Sequence, residues 1–548
     1  MRRRGEGAVY AGNGKLSPAF VSGVIAGIAL SVRVAAAVPE PSPADTMAEA
    51  SAQFDVWEYR VLGNSRLPSE RVEETVYPFL GAAKTIQDVD RARQALEAAY
   101  HDAGYGTVFV DVPEQNTEGG IVRLQVSEGR IDRVRISGAR YFANGDIRAA
   151  VPELQSGKVP HLPHLQTELN ALNAQTGDRA VVPVLKAGRV PGTVDVELKV
   201  QDTLPLHASV EVNDRYTADT SKLRANAIVS YGNLFQRQHS LTLQYQSAPE
   251  DRADVESIVG TYAFRVPAWG DTTVALYAVD SDTDVATLGT LSVLGKGKIF
   301  GLRAVHVLMP VETYSHNVTF GLDYKDFLEN IRLPEDEGLV TPIKYLNWSI
   351  SYGGSKRSQN SLTGVNVSAN FGVRGVQNES TEFEEKRFKG APNYFYLRAG
   401  LEQAFRMPFD FQLYGRAAGQ FTQSPLVSNE QFAIGGVDTV RGYLESAQLG
   451  DYGAVGTVEL RQSSLSSLLK LPFGAAYVAA FYDAGIVQIM RPLPSQQSTF
   501  DLASAGVGLR IDGWHGFSLA FDWAYPLQDN DRTERGDDRT HFLFKYGF

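Results

Sequence analysis

The chain contains no cysteine. Thiol nucleophiles, iron–sulfur clusters and cysteine-based zinc sites are thereby excluded, and disulfides have no part in the fold. Long apolar runs are also missing: no internal stretch reaches the ~18 residues that a spanning helix needs. A mean hydropathy of −0.19, with 43% hydrophobic residues, argues against a helical membrane protein. Positive charge is not in excess. The net charge is −11 and no basic patch stands out, so no nucleic-acid partner is expected. Enzyme signatures are absent as well, with no Gly-x-Ser-x-Gly elbow and no phosphate-binding loop. The 9 histidines are scattered, and His161 and His164 stand three apart without a third ligand. Neither metal nor cofactor is expected, and no catalytic residue is nominated.

What is abundant is glycine (51), phenylalanine (27) and tyrosine (24), a balance suited to a membrane β-barrel with aromatic girdles. The N-terminus reads as a secretory leader: Arg2, Arg3 and Arg4, then an apolar stretch from Phe20 to Val32, then Ala35-Ala36-Ala37. Residues 1–37 are assigned to this leader and 38–53, with Pro39, Pro41 and Pro43, to a linker.

Residues 54–130 predict strand, two helices and two strands. Val56 to Val61 is extended and ends at a Gly63-Asn64 turn. Ser69 is placed to cap a helix carrying Val72, Val76 and Phe79. Thr85 with Asp88 forms a capping box for a second helix, on which Ile86, Val89, Ala92, Leu96 and Tyr100 recur at helical spacing. Thr107–Val112 and the alternation of Val122, Leu124 and Val126 supply the strands. Residues 131–206 repeat the plan. Val134 and Ile136 precede Gly138, Ile147–Val151 predicts a short helix, and Leu162, Leu165, Leu169 and Leu172 line another. Val181–Leu185 then leads to Val194, Val196, Leu198 and Val200 in strict alternation.

From residue 207 to 548 the chain becomes a series of about sixteen alternating segments of ~9–11 residues split by polar turns. Phe517, Leu519, Phe521, Trp523 and Tyr525 oppose Ser518, Ala520, Asp522 and Ala524. The last segment sets Phe542, Phe544, Tyr546 and Phe548 against Leu543, Lys545 and Gly547. Aromatic faces repeated on strand after strand fit lipid rather than a soluble sandwich.

Two motifs about 40 residues apart are the most informative features. Val440-Arg441-Gly442-Tyr443 lies in a Gly-rich segment with Gly435 and Gly436. Phe481-Tyr482-Asp483-Ala484-Gly485 reads as a strand with Phe481, Asp483 and Gly485 on one face. These residues resemble the superfamily of outer-membrane transporters that carry periplasmic POTRA domains ahead of a β-barrel. The resemblance implies a mainly β fold: a 16-stranded transmembrane antiparallel barrel at 207–548 preceded by two α+β POTRA domains, 54–130 and 131–206. It also implies a lumenal loop over residues 424–452. Its tip carries Val440, Arg441, Gly442 and Tyr443, and Arg441 pairs with Asp483 of the barrel wall. Thr439 and Tyr443 help hold the tip, while Glu459 and Arg461 either join this network or simply line the lumen. Phe542, Phe544, Tyr546 and Phe548 resemble the C-terminal signal read by the barrel-assembly machinery. Some members of the superfamily also carry a pore-plugging N-terminal helix, for which residues 38–53 leave little room.

Within that superfamily, two POTRA units and sixteen strands are most similar to the two-partner secretion branch, the haemolysin secretion/activation proteins of Gram-negative bacteria. The implied function is export, without nucleotide hydrolysis, of a large and β-helical exoprotein. The client is captured unfolded by the POTRA pair and threaded through the barrel. The rival readings are a barrel insertase, which usually carries more POTRA units, a barrel enzyme and a passive porin.

Overall fold

The computed structural model describes residues 53–548 apart from 118, 219, 284, 289–290, 295, 332–338, 463–464, 466–474, 495 and 515. The leader expected at 1–37 lies outside the described residues, as do any N-terminal plug helix and all of the 38–53 linker but its last residue. The described chain divides into two compact units that meet in sequence between Pro205 and Leu206.

The N-terminal unit contains two α+β halves of one plan. The first runs β1 (Phe54–Val56), β2 (Glu58–Leu62), α1 (Ser69–Val76), β3 (Gly81–Lys84), α2 (Ile86–Asp102), β4 (Val108–Asp111) and β5 (Ile121–Glu128). Its three-stranded sheet has the order β2-β5-β4, with β2 parallel to β5 and β4 antiparallel to it. Val89, Leu96 and Tyr100 of α2 pack on Val122, Leu124 and Val126 of β5, all nearly inaccessible to solvent. The capping box forms: the Asp88 carboxylate accepts from the backbone N–H and the hydroxyl of Thr85, both at 2.8 Å. These bonds hold the Asp88 carboxyl below its ordinary value, with the backbone bond as the main cause.

Several local expectations are corrected. Ser69 is the first helical residue rather than the cap, because Pro68 occupies the N-cap position. The preceding turn is held by the Asn64 side chain, whose Oδ1 accepts from the backbone N–H groups of Arg66 and Leu67. Phe79 falls beyond α1 in a short turn containing Pro78, and Ile86 is 60% exposed at the first position of α2. An extra strand, β3, pairs with β1. Tyr100 donates to Asn64 at 2.6 Å, and burial pushes its hydroxyl well above its ordinary pKa.

The second half comprises β6 (Arg130–Ser137), α3 (Asn144–Ala149), α4 (Leu162–Asn173), β7 (Arg179–Ala187) and β8 (Thr193–Asp202), in sheet order β6-β8-β7. Leu165, Leu169 and Leu172 of α4 are buried against Val194, Val196 and Leu198. Leu162 opens the helix and is exposed. His161 caps α4 by accepting from His164 N–H, which accounts for that histidine pair without a metal.

The C-terminal unit is a closed barrel of sixteen antiparallel strands, counted here from strand 1 (Leu206–Asn213) to strand 16 (Arg539–Gly547), which pairs back onto strand 1. Closure leaves no edge strand unpaired, the condition a sheet must meet in hydrocarbon, where water cannot satisfy its backbone. Among the described residues no helix is long and apolar enough to cross a membrane; the crossing elements are strands. The alternation is realised as read: Leu519, Phe521, Trp523, Tyr525, Phe542, Phe544, Tyr546 and Phe548 all face outward and are exposed. The intervening Asp522 and His541 are buried on the inner face. Inside lie a helix, α5 (Ser380–Lys386), whose Phe383 packs on Tyr345 and Tyr394, and the long connection between Thr422 and Tyr452.

Candidate functional site

Strand 11 (Phe411–Thr422) and strand 12 (Tyr452–Gln462) are joined at the end of the barrel opposite the start of strand 1. This connection is the sixth at that end and is called loop 6 below. It folds back as a hairpin in which Phe432–Ile434 pairs with Gln448–Gly450. Ile434, Val440 and Tyr443 have no exposed surface and pack on Val455, Val487 and Leu502 of the wall. A Cβ on Gly485, in strand 13 (Ala475–Gln488), would come within 3.2 Å of both Ile434 and Val440. Glycine is what allows the loop tip to lie against that strand.

Arg441 enters a cluster of three guanidinium groups and three carboxylates. Its Nε donates to Asp483 Oδ2 at 2.7 Å, its Nη2 to Asp483 Oδ1 at 2.9 Å, and its backbone N–H to the same carboxylate at 3.2 Å. The bidentate fork fixes direction as well as distance, which an ammonium cannot do. Arg441 Nη1 also lies 2.9 Å from Glu459 and 3.5 Å from Asp522. Arg461 pairs with Glu459 at 2.7 Å, and Arg510 of strand 14 (Thr499–Trp514) pairs with Asp522 at 2.7 Å. The Arg441 guanidinium lies over the Phe481 ring, 3.4 Å from its centre. Asp483 is fully buried and Arg441 is 4% exposed, so each charge depends on the other for solvation.

Every member of the tetrad has a contact. Val440 packs, Arg441 pairs, and Gly442 takes φ +88°. Tyr443 donates to the carbonyls of Ala503 (3.0 Å) and Gln528 (2.8 Å). Glu459 and Arg461 belong to the ionic cluster rather than to a merely wet wall. Thr439 differs from expectation, since its hydroxyl makes no hydrogen bond.

A second attachment had no signal in the sequence. Glu430, in the descending limb of loop 6, is 2% exposed and accepts from Lys325 Nζ (2.5 Å), Tyr345 (2.5 Å) and Tyr396 (2.6 Å). These donors come from strand 7 (Tyr314–Ile331), strand 8 (Leu339–Arg357) and strand 10 (Phe395–Arg406). Asp451, at the end of the loop, accepts from Leu426 N–H at 2.8 Å and Met490 N–H at 2.6 Å and pairs with Arg387 at 3.1 Å. Asp522 was legible as an inward position, but nothing local marked its partners, and His541 was not singled out in the sequence.

A closed sixteen-stranded barrel, with a far-end loop held in its lumen by an arginine, preceded in the chain by paired small α+β domains, defines the class of outer-membrane transporters with POTRA domains. Residues 192–511 match the haemolysin secretion/activation protein family (ShlB/FhaC/HecB), and residues 54–129 match the ShlB-type POTRA domain. The chain belongs to this haemolysin secretion/activation family. It is 22% identical over 497 residues to the outer membrane transporter CdiB of Escherichia coli O6:K15:H31, covering 89% of this chain and 82% of that one. It is 24% identical over 430 residues to the hemolysin transporter protein ShlB of Serratia marcescens, covering 77% and 72%. The solved structure of CdiB from Escherichia coli superposes with a TM-score of 0.58 at 20% identity, covering 92% of this chain and 93% of that one. BamA from Haemophilus ducreyi lacking POTRA domains 1–3 gives 0.57 at 15% identity, covering 90% and 100%. These structural likenesses concern the fold. The protein is thus an outer-membrane transporter of the two-partner secretion type, with its POTRA domains in the periplasm.

Proposed function

We propose that this transporter captures an unfolded exoprotein on its POTRA sheets and exports it through a lumen gated by loop 6. The outer strands β2 and β4, and β6 and β7, present main-chain groups to an extended client, and strand addition demands little side-chain complementarity. This suits a long, β-helical client that passes as an unfolded chain. The loop tip, held by Arg441 against Asp483, Glu459 and Asp522, stands across the interior and withdraws or shifts as the client threads past. Phe542, Phe544, Tyr546 and Phe548 serve as the signal that hands the nascent barrel to the barrel-assembly machinery.

The observation that carries the reading is the bidentate Arg441–Asp483 pair, which anchors a 29-residue connection, 423–451, inside a transporter-family barrel. Deleting residues 54–130 tests the capture step. The shortened protein is expected in the outer membrane as a folded barrel that no longer exports its client; undiminished export would remove the POTRA role.

A further inference from the structure

The barrel closes where strand 16 meets strand 1. The register of this seam runs from Leu543 opposite Asn213 to Gly547 opposite Ser209 and continues to Ala208 and Phe548, which exchange backbone hydrogen bonds of 3.2 and 3.0 Å. On its other side strand 16 pairs with strand 15 (Phe517–Pro526) all the way from Arg539 to Tyr546. Toward the far end the backbone pairing of the seam continues one residue beyond strand 1, at Asp214. Asp214 accepts from Phe542 N–H at 2.7 Å through Oδ1, and its own N–H donates to Phe542 C=O at 3.4 Å.

Loop 6 is attached to that same residue through His541. Gly442 N–H donates to His541 Nε2 at 3.0 Å, and His541 Nδ1 lies 3.1 Å from Asp214 Oδ2. A backbone N–H can only donate, so Nε2 must carry the lone pair, and the proton sits on Nδ1 and is given to Asp214. The imidazole therefore bridges the loop tip and the seam in one fixed tautomer. His541 is 4% and Asp214 7% exposed. Loop 6 grips the continuation of strand 1 at two more points: Arg215 pairs with Asp438 at 2.8 Å, and Glu445 N–H donates to Tyr216 C=O at 3.1 Å. Arg539 of strand 16 lies over the Tyr216 ring at 4.5 Å, so the two sides of the seam also meet directly.

We propose that the anchored loop 6 staples the barrel seam, with His541 as the positioning residue that links Gly442 to Asp214. When the Arg441 tip lets go, the far end of the strand 1–strand 16 junction loosens with it. This rests on the anchored-loop reading above, but it concerns the wall and not the client.

The test is hydrogen exchange in the full-length protein in lipid nanodiscs, read on the folded population identified by its heat-modifiable migration. The segments compared are 206–214 and 539–547, with strand 6 (Lys296–Val307) as the reference. Arg441→Ala and Asp483→Asn, neither of which touches the seam, should each speed exchange in both seam segments about tenfold and leave the reference unchanged. His541→Asn keeps a donor near Asp214 but cannot reach Gly442. It should raise seam exchange by a similar factor, and adding Arg441→Ala to it should raise it no further. Unchanged seam exchange in folded Arg441→Ala and Asp483→Asn, or fully additive effects of His541→Asn and Arg441→Ala, would overturn the proposal. The exchange readout is independent of export, so an unaffected seam would sink this inference and leave the transport reading standing.

Discussion

The tip and the descending limb of loop 6 are held by opposite chemistry. At the tip the loop brings the cation, Arg441, and the wall brings Asp483, Glu459 and Asp522, balanced by Arg461 and Arg510. At the limb the loop brings the anion, Glu430, and the wall answers with one lysine and two tyrosines. The tip is a neutral network of six charges, which loses balance when any one is removed. The limb is a single ion pair supplemented by neutral donors, and each hydroxyl can be removed without leaving a charge behind. The limb is therefore suited to be a lasting hold and the tip to be the latch whose release changes the pore.

The largest expected effect follows from breaking the tip. Arg441→Ala leaves three carboxylates facing two guanidinium groups, a loss of about 2–3 kcal/mol in a lumen that water can enter. That shifts the loop toward release by about 30- to 160-fold. The barrel should reach the outer membrane in normal amount, export poorly and show altered conductance in planar bilayers. Glu430→Ala should come next, because it strands Lys325 and two buried hydroxyls; Glu430→Gln keeps an acceptor for the tyrosines and should restore part of the loss. Limited proteolysis of loop 6 from the cell surface ranks the pair, and equal sensitivity of the two variants would contradict the division of labour. Tyr345→Phe removes one neutral donor and should cost about 1 kcal/mol, close to the detection limit of such an assay.

The smallest effect lies in the N-terminal unit, at a surface carboxylate held by the Thr85 donors and by an ion pair with Arg91 at 2.5 Å. Asp88 has its pKa lowered, so the stability it contributes is present at neutral pH and is lost as pH falls below the ordinary carboxylate range. Asp88→Asn should flatten that acid limb in urea unfolding of fragment 53–205 and change little at neutral pH. An unchanged acid limb would show that the Thr85–Asp88 box contributes nothing to stability.

Much of the wall was legible because a strand repeats every two residues. Phe521, Trp523 and Phe544 announce an outer face whatever their neighbours in space. The tip was legible for a different reason: Val440 to Tyr443 and Phe481 to Gly485 carry residue types whose pairing the family resemblance implied. Glu430 illustrates what stayed hidden. Its donors are spread over three strands at sequence separations of 34 to 105, so no local pattern connects them. The same holds for His541, an inward residue like any other until the topology sets Gly442 beside it. Ser69 failed for a local reason, since Pro68 had already taken the position a cap requires.

The central claim is that Arg441 and Asp483 act as one latch. A double-mutant cycle on open-state conductance in planar bilayers tests it most directly, using Arg441→Ala, Asp483→Ala and the pair together. Each single variant should populate larger or more frequent openings, and the double variant should be little different from either one. Fully additive changes, or singles that match the native trace, would contradict the account.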